Sequence, residues 1–265
     1  MRRSDPWDSE QYSRFKQERA RPFHDLVSLV QVGTRPLRIV DLGCGTGELT
    51  RELHERLHAR ETLGIDRSDA MLARANSEHT DGLRFERGAI EDFDRTDDPV
   101  DLIFSNAALH WVSGHRALFG RLASSINVDG GQLAIQVPAN DDHPSHAAAN
   151  EVAREAPFVE ALQGYERRSP VLTPEAYARL LNELGFAEQH VRLQVYAHLL
   201  PSRADVLEWT RGTLLTEIRA RLEATLYTRF LDRYRELLMT RLEDEKPFLY
   251  TFKRVLIWAR RRSES

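Results

Sequence analysis

Cysteine is almost missing from this chain of 265 residues, occurring once, as Cys44. With a single thiol no disulfide forms within the chain, and a zinc site built on several cysteines is excluded. Lysine is scarce too, confined to Lys16, Lys246 and Lys253, so arginine carries nearly all the positive charge. Two readings of that bias stay open: the codon usage of a GC-rich genome, or guanidinium forks that recognise carboxylates and phosphates. No apolar run approaches the roughly 20 residues that cross a bilayer. The opening MRRSDPWDSEQ lacks the apolar stretch of a secretory leader. The expectation is therefore a cytoplasmic protein with no membrane partner. An excess of basic charge is also lacking: 37 Lys and Arg face 41 Asp and Glu, a formal net charge of −4. A nucleic-acid partner is not expected of such a balance.

What the chain does have is alternation. Residues 37–42 (LRIVDL), 62–65 (TLGI), 83–87, 100–104 (VDLIF) and 132–137 (QLAIQV) read as short strands. Residues 48–57, 68–76 and 115–126 read as helices between them, the second with Ser68 as its N-cap. Strands and helices in this order imply an α/β fold with a parallel sheet and helices on both faces. The second half differs. Pro144, Pro157 and Pro170 surround an alanine-rich helix, and residues 174–184 form a helix stopped by Gly185. A strand is expected over 191–199, a long, charged and solvated helical region over 203–243, and a last strand over 248–259. The expected organisation is a core of residues 1–139 and 186–265, with helical insertions at 140–185 and 203–243.

The most informative stretch is Asp41-Leu42-Gly43-Cys44-Gly45-Thr46-Gly47. A strand ends, a glycine-rich turn follows and a helix begins, which lets backbone approach a ligand at the mouth of the sheet. The glycine spacing does not fit the G-x-G-x-x-G of dinucleotide sites, and the Gly-Lys-Ser/Thr ending of a P-loop is absent. Asp41 and Glu48 flank the turn. They would repel a pyrophosphate and attract a ligand with an amino group and a sulfonium. The next strand runs into Asp66, placed to accept hydrogen bonds from both hydroxyls of a ribose. Cys44, inside the turn, reads as a small packed residue rather than a nucleophile.

On these residues the chain resembles the class I S-adenosylmethionine (SAM) methyltransferases. The resemblance implies a Rossmann-like sheet of seven strands, mostly parallel with the last antiparallel, and SAM as cofactor with S-adenosylhomocysteine as product. It implies that Asp41, Gly43, Gly45 and Gly47 cradle the cofactor and that Asp66, followed by Arg67 and Met71, holds the ribose side. Ala89, Ile90 and Glu91 would flank the adenine, with Ile90 on the ring. Many relatives carry Asp at position 89; here Ala89 leaves that contact to Glu91 or a water. Asn106 and Ala107, at the end of the fourth strand, would lie by the methionine part, and His110 and Trp111 by the methyl acceptor.

A narrower resemblance rests on Trp7-Asp8-Ser9-Glu10-Gln11-Tyr12, Glu18-Arg19-Ala20-Arg21-Pro22, Asn106 to Trp111, Pro144-Ser145-His146, Trp209-x-x-Gly212-Thr213 and Phe252-Lys253-Arg254. These stretches are similar to the trans-aconitate methyltransferases, which esterify a small tricarboxylate. The resemblance implies a carboxylic acid acceptor, an N-terminal helix acting as a lid, insertions capping the acceptor pocket, and a monomer or homodimer. Arg19, Arg21, Trp111, Tyr196 and Arg254 would bind the acceptor, and Tyr12 and His110 would steer its attacking oxygen. Two departures bear on the acceptor: Leu214-Leu215-Thr216-Glu217 replaces an Arg-Pro pair, and Arg192 stands where relatives often have Trp. A carboxylate is already ionised and needs no general base, so positioning and exclusion of water would carry catalysis. A hydroxyl acceptor would instead need His110 as base. A non-catalytic SAM-binding sensor is the third reading. His143 and His146 lack the spacing of metal ligands, and no metal is expected.

Overall fold

The computed structural model of the chain describes residues 16–262. Its strands are β1 (Arg38–Leu42), β2 (Glu61–Asp66), β3 (Leu83–Arg87), β4 (Leu102–Asn106), β5 (Gln132–Pro138), β6 (Glu188–Leu200) and β7 (Phe248–Arg260). They form one seven-stranded sheet in the order β3-β2-β1-β4-β5-β7-β6. The pairings from β3 through β5 are parallel, and β7 runs antiparallel to β5. This is the fold class expected from the sequence. The chain leaves β1 toward β2 on one side and returns after β3 to place β4 on the other. The crevice between the carboxyl ends of β1 and β4 is therefore the topological switch point, where sheets of this kind bind ligands.

Two compact units can be distinguished among the described residues: 19–139, 170–194 and 254–262 make up one, and 140–169 and 195–253 the other. In the sheet unit β1 is buried at every position after Arg38, as a central parallel strand must be. Alternate residues serve opposite faces. Val40, Leu42, Ile103, Leu133, Ile135 and Ile257 pack with Leu118, Phe119 and Leu122 of the helix His115–Ser124. Tyr177, Leu180 and Leu181 of the helix Pro174–Glu183, expected in an insertion, join this same core. On the other face Ile39, Phe104, Ala134 and Trp258 meet Leu53 of the helix Glu48–Arg56 and Phe23 and Leu26 of the helix Lys16–Val27. From Phe23 onward that N-terminal helix contributes to the core. Fully buried side chains of this size anchor it by roughly 1.5–3 kcal/mol each.

In the helical unit, residues 203–243, expected to be charged and solvated, bury an apolar face. They divide into the helices Asp205–Arg211, Thr216–Arg219 and Ala224–Arg241. Val206, Leu207, Trp209, Leu215, Ile218, Phe230, Tyr234 and Leu238 build a core of their own with Ala148, Ala149 and Val152. Phe230, Tyr234 and Leu238 recur every four residues and so line one face of the last helix. The many charges occupy the remaining positions, which is why composition alone suggested solvation.

Candidate cofactor site

The turn after β1 is held by three glycines with positive φ: Gly43 at 79°, Gly45 at 57° and Gly47 at 78°. Two of them are also places of close approach. A Cβ on Gly43 would stand 2.2 Å from the Cβ of Ala108, and one on Gly47 would stand 2.8 Å from the Phe85 ring and 2.9 Å from the Cβ of Ala75. The turn is thus pressed against the segment after β4 on one side and the helix Asp69–Ala75 on the other. Gly45 differs, since a Cβ there would meet nothing within 4 Å. The turn is closed except at Gly45, where its backbone faces open space.

Hydrogen bonds fix the rest of the mouth. The N–H groups of Gly43 and Cys44 donate to the carbonyl of Ile65 at 2.8 and 3.1 Å. Asp66 accepts from the Gly45 N–H at Oδ2 and from the Ser68 N–H at Oδ1, each at 2.9 Å. Ser68 also caps its helix, accepting from the Met71 N–H at 3.3 Å. Each carboxylate oxygen can accept twice, so Asp66, only half-buried, retains capacity for ligand hydroxyls. Ser105 donates to the Leu42 carbonyl at 2.7 Å and ties β4 to the end of β1.

Asp41 is the electrostatic centre. It is 4% exposed, and its Oδ2 accepts from the Thr50 hydroxyl at 2.6 Å. Its Oδ1 is buried with no hydrogen-bond partner among the described residues. Burial pushes the carboxyl up to about 7; the Thr50 hydrogen bond opposes this and the nearby charge of Asp66 adds to it. Burial, with these same two acids, also pushes the Cys44 thiol up, so the sulfur is no nucleophile. A buried carboxylate oxygen left without a partner is what a cationic group would complete. By their chemistry these residues fit the SAM that the sequence implies: Asp41 would face its charge and Asp66 its ribose.

The other expected residues fall in several places. Ile90 reaches the turn, its Cδ1 3.6 Å from where a Gly43 Cβ would sit, with Ala89 half-buried before it. Arg67 and Glu91 are exposed and Met71 half-buried. Asn106 ends β4, and Ala107 after it has a φ of 57°, rare for a residue with a side chain. The His110 and Trp111 rings lie 4.6 Å apart at 42°, both half-buried. Arg21 is exposed on the N-terminal helix; Tyr12 and the side chain of Arg19 lie outside the described residues. Tyr196 is buried in the helical unit. Arg254 is buried as well, and its guanidinium donates to Gln136 Oε1 at 3.1 Å. His143 serves as N-cap of the helix Pro144–Arg154, accepting from the Ser145 N–H at 3.1 Å. No group of three or more metal-ligating side chains occurs among the described residues, and no described helix is long and apolar enough to cross a membrane.

Sequence reasoning missed Thr50 and Gln136. Thr50 lies one helical turn past the glycines and carries no motif. Gln136 left a signal: an amide amid the apolar residues of a buried strand.

Comparison with known proteins adds to this geometry. A family model described as a methyltransferase domain matches residues 12–191. The chain is 42% identical over 262 residues to the trans-aconitate 2-methyltransferase of Deinococcus radiodurans, covering 96% of this chain and 98% of that protein. It is 37% identical over 259 residues to the enzyme of the same name from Acidovorax ebreus, again over 96% and 98%. Among solved structures, the YcgJ protein of Bacillus subtilis is similar with a TM-score of 0.56 at 16% identity, covering 91% of this chain and all of that one. The geranyl diphosphate C-methyltransferase of Streptomyces coelicolor, solved with S-adenosylhomocysteine, has a TM-score of 0.54 at 18% identity, over 97% and 86%. At such identities the structural likeness is one of fold.

Proposed function

The chain belongs to the methyltransferase family, and on that premise we propose that it transfers the methyl group of SAM to a carboxylate of trans-aconitate, giving the methyl ester. The observation that carries the acceptor is the extent of the match. The family model ends at residue 191, whereas the Deinococcus enzyme aligns with 96% of the chain. That alignment therefore takes in most of residues 195–253, which belong to the helical unit and not to the general methyltransferase domain.

Bound SAM supplies an electrophilic methyl group: a carboxylate oxygen of the acceptor forms a bond to its carbon as the carbon–sulfur bond breaks. The chain's own part is to bind, orient and exclude water. The turn at Gly43–Gly47 leaves room for the cofactor at Gly45, Asp41 faces its positive charge and Asp66 its ribose hydroxyls. Ile90 offers an apolar side chain for the adenine. Since the acceptor oxygen is ionised before it reacts, no residue has to remove a proton. His110 and Trp111 follow β4 on the acceptor side, and Arg19 and Arg21 are the cations proposed to orient the acid. A cytoplasmic monomer or homodimer without a nucleic-acid partner completes the reading.

The test is transfer of labelled methyl from SAM to trans-aconitate, with binding of S-adenosylhomocysteine measured beside it. Transfer that yields a monomethyl ester, with a raised acceptor KM in Arg19→Ala or Arg21→Ala, supports the reading. Tight binding of S-adenosylhomocysteine without transfer keeps the cofactor and rejects this acceptor.

A further inference from the structure

Two glutamines interrupt the apolar strand β5, and they differ in what they hold. Gln132 closes on fixed structure. Its Oε1 accepts from the Gln31 N–H and from Trp258 Nε1, both at 2.9 Å, and its Nε2 donates to the Gln31 carbonyl at 2.8 Å. Gln136, at the other end of the strand and 1% exposed, is tied to the mouth of the sheet. Its backbone carbonyl accepts from the Ala107 N–H at 2.9 Å. Its Nε2 donates to Asn106 Oδ1 at 2.6 Å, and its Oε1 accepts from Arg254 at 3.1 Å. The sheet register places all three on one face. Asn106 lies opposite Gln136 across β4 and β5, and Arg254 is two residues from Leu256, its partner across β5 and β7.

Donor chemistry then fixes the direction of both amides. A guanidinium only donates, so Arg254 takes the oxygen of Gln136. The nitrogen of Gln136 is left facing Asn106, and because it too only donates it must meet the asparagine oxygen. The amide nitrogen of Asn106 is thereby turned away from β5, and it has no hydrogen-bond partner among the described residues. Asn106 is half-buried at the carboxyl end of β4, and the left-handed backbone of Ala107 follows it. A non-glycine residue keeps that conformation where its surroundings over-determine it. Here Gln136 is the surrounding group, through its own carbonyl.

We propose that Gln136, held by Arg254, is a positioning residue that turns Asn106 into a hydrogen-bond donor toward a ligand carboxylate beyond the ends of β1 and β4. The inference rests on the methyltransferase reading, in which both the amino-acid tail of the cofactor and the acceptor carry such a group. Arg254 thus acts through Gln136 rather than as a direct clamp.

Two substitutions reverse the outward donor by different routes. Asn106→Asp replaces it with an acceptor. Gln136→Glu keeps the contact with Arg254 but presents an oxygen to Asn106, which must flip and turn its own oxygen outward. Calorimetry with S-adenosylhomocysteine, and with trans-aconitate on the S-adenosylhomocysteine complex, reads the two carboxylate sources separately. Both variants should lose about tenfold or more in affinity for the same ligand, keep their melting temperature within a few degrees, and change KM more than kcat. Loss toward S-adenosylhomocysteine identifies the cofactor's carboxylate; loss toward trans-aconitate alone identifies the acceptor's. Affinities within twofold of wild type in both variants, or a loss for both ligands that merely follows a fall in melting temperature, overturn the proposal. Gln136→Met, which keeps the volume and frees Asn106 to rotate, gives the same reading with a several-fold loss should Gln136→Glu not fold. If wild type binds S-adenosylhomocysteine but ignores trans-aconitate, the acceptor reading fails separately, and unchanged S-adenosylhomocysteine affinity in the variants then overturns the relay.

Discussion

Thr50 donates its hydroxyl hydrogen to Oδ2 of Asp41 at 2.6 Å, and Oδ1 of the same carboxyl is buried with no hydrogen-bond partner among the described residues. One oxygen is satisfied by the fold; in the proposed reading the other faces the positive charge of the cofactor.

That asymmetry makes cofactor binding proton-linked. The carboxyl, pushed up to about 7 mainly by burial, is largely protonated at pH 6.5 in the free protein. A cation placed against Oδ1 favours the ionised form. Binding of S-adenosylhomocysteine at pH 6.5 should therefore release roughly half a proton or more. Calorimetry in two buffers of different ionisation enthalpy measures it, and equal enthalpies in both would count against the assignment. The same group sets a pH dependence of stability. Its ordinary value is 3.8, raised in the folded protein, so between about 4 and 7 the native state holds a proton that the unfolded state has lost. Stability should fall as pH rises through that window, by up to about 1.4 kcal/mol per unit. Asp41→Asn should remove the slope in denaturant titrations.

Asp66 supports the turn, and in the proposed reading it also faces the ribose. Asp66→Ala should weaken S-adenosylhomocysteine binding about tenfold to a hundredfold, since charge-assisted hydrogen bonds contribute roughly 1.5–3 kcal/mol each. Because the Gly45 and Ser68 N–H groups lose their acceptor, a modest fall in melting temperature should accompany it. Calorimetry with unchanged affinity would reject the ribose role.

Two neighbouring glycines should separate packing from binding. Gly43→Ala drives a methyl group to 2.2 Å from the Cβ of Ala108 at a φ of 79°, so the protein should be destabilised by about 1–3 kcal/mol or more. Gly45→Ala meets nothing within 4 Å and should cost only about 1–2 kcal/mol for its left-handed backbone. In the proposed reading, however, its methyl group occupies space that the cofactor needs. Thermal melts with and without S-adenosylhomocysteine should show a low melting point in the first variant. In the second they should show a nearly normal one that the ligand no longer raises.

His110 distinguishes acceptor chemistries. For a carboxylate acceptor, His110→Gln should lower kcat less than tenfold, and kcat at saturating SAM should stay flat from about pH 6 to 8. For a hydroxyl acceptor the loss should reach about 10²–10⁴, as for a missing general base, with a rate that rises with pH near neutrality. Single-turnover rates on trans-aconitate decide between them.

Much of the site was legible in the chain because it is local. Gly43, Gly45 and Gly47 announced a turn of positive φ, Asp41 closed the strand before it, and Asp66 ended the next strand. Neighbouring parallel strands bring such ends together. Ser68 was readable as a cap because capping is settled within four residues. The burial of Arg254 was not legible, because a charged side chain near a strand end looks exposed in one dimension; its bond to Gln136 spans more than a hundred positions. The buried face of the helical region 203–243 was hidden for a related reason: its charge count masks a four-residue apolar repeat.

By itself, then, the sequence determined the order of strands and helices, the glycine turn and the acids that flank it, since backbone freedom, periodicity and adjacency are properties of short segments. Only the tertiary structure decided which oxygen of Asp41 is left without a partner. It likewise decided that the first helix is core from Phe23 onward, and that Arg254, Gln136 and Asn106 form one line. Hydrogen-bond direction in a buried amide depends on what stands on both sides of it. Those neighbours are chosen by the packing of distant strands, not by the residues next in the chain.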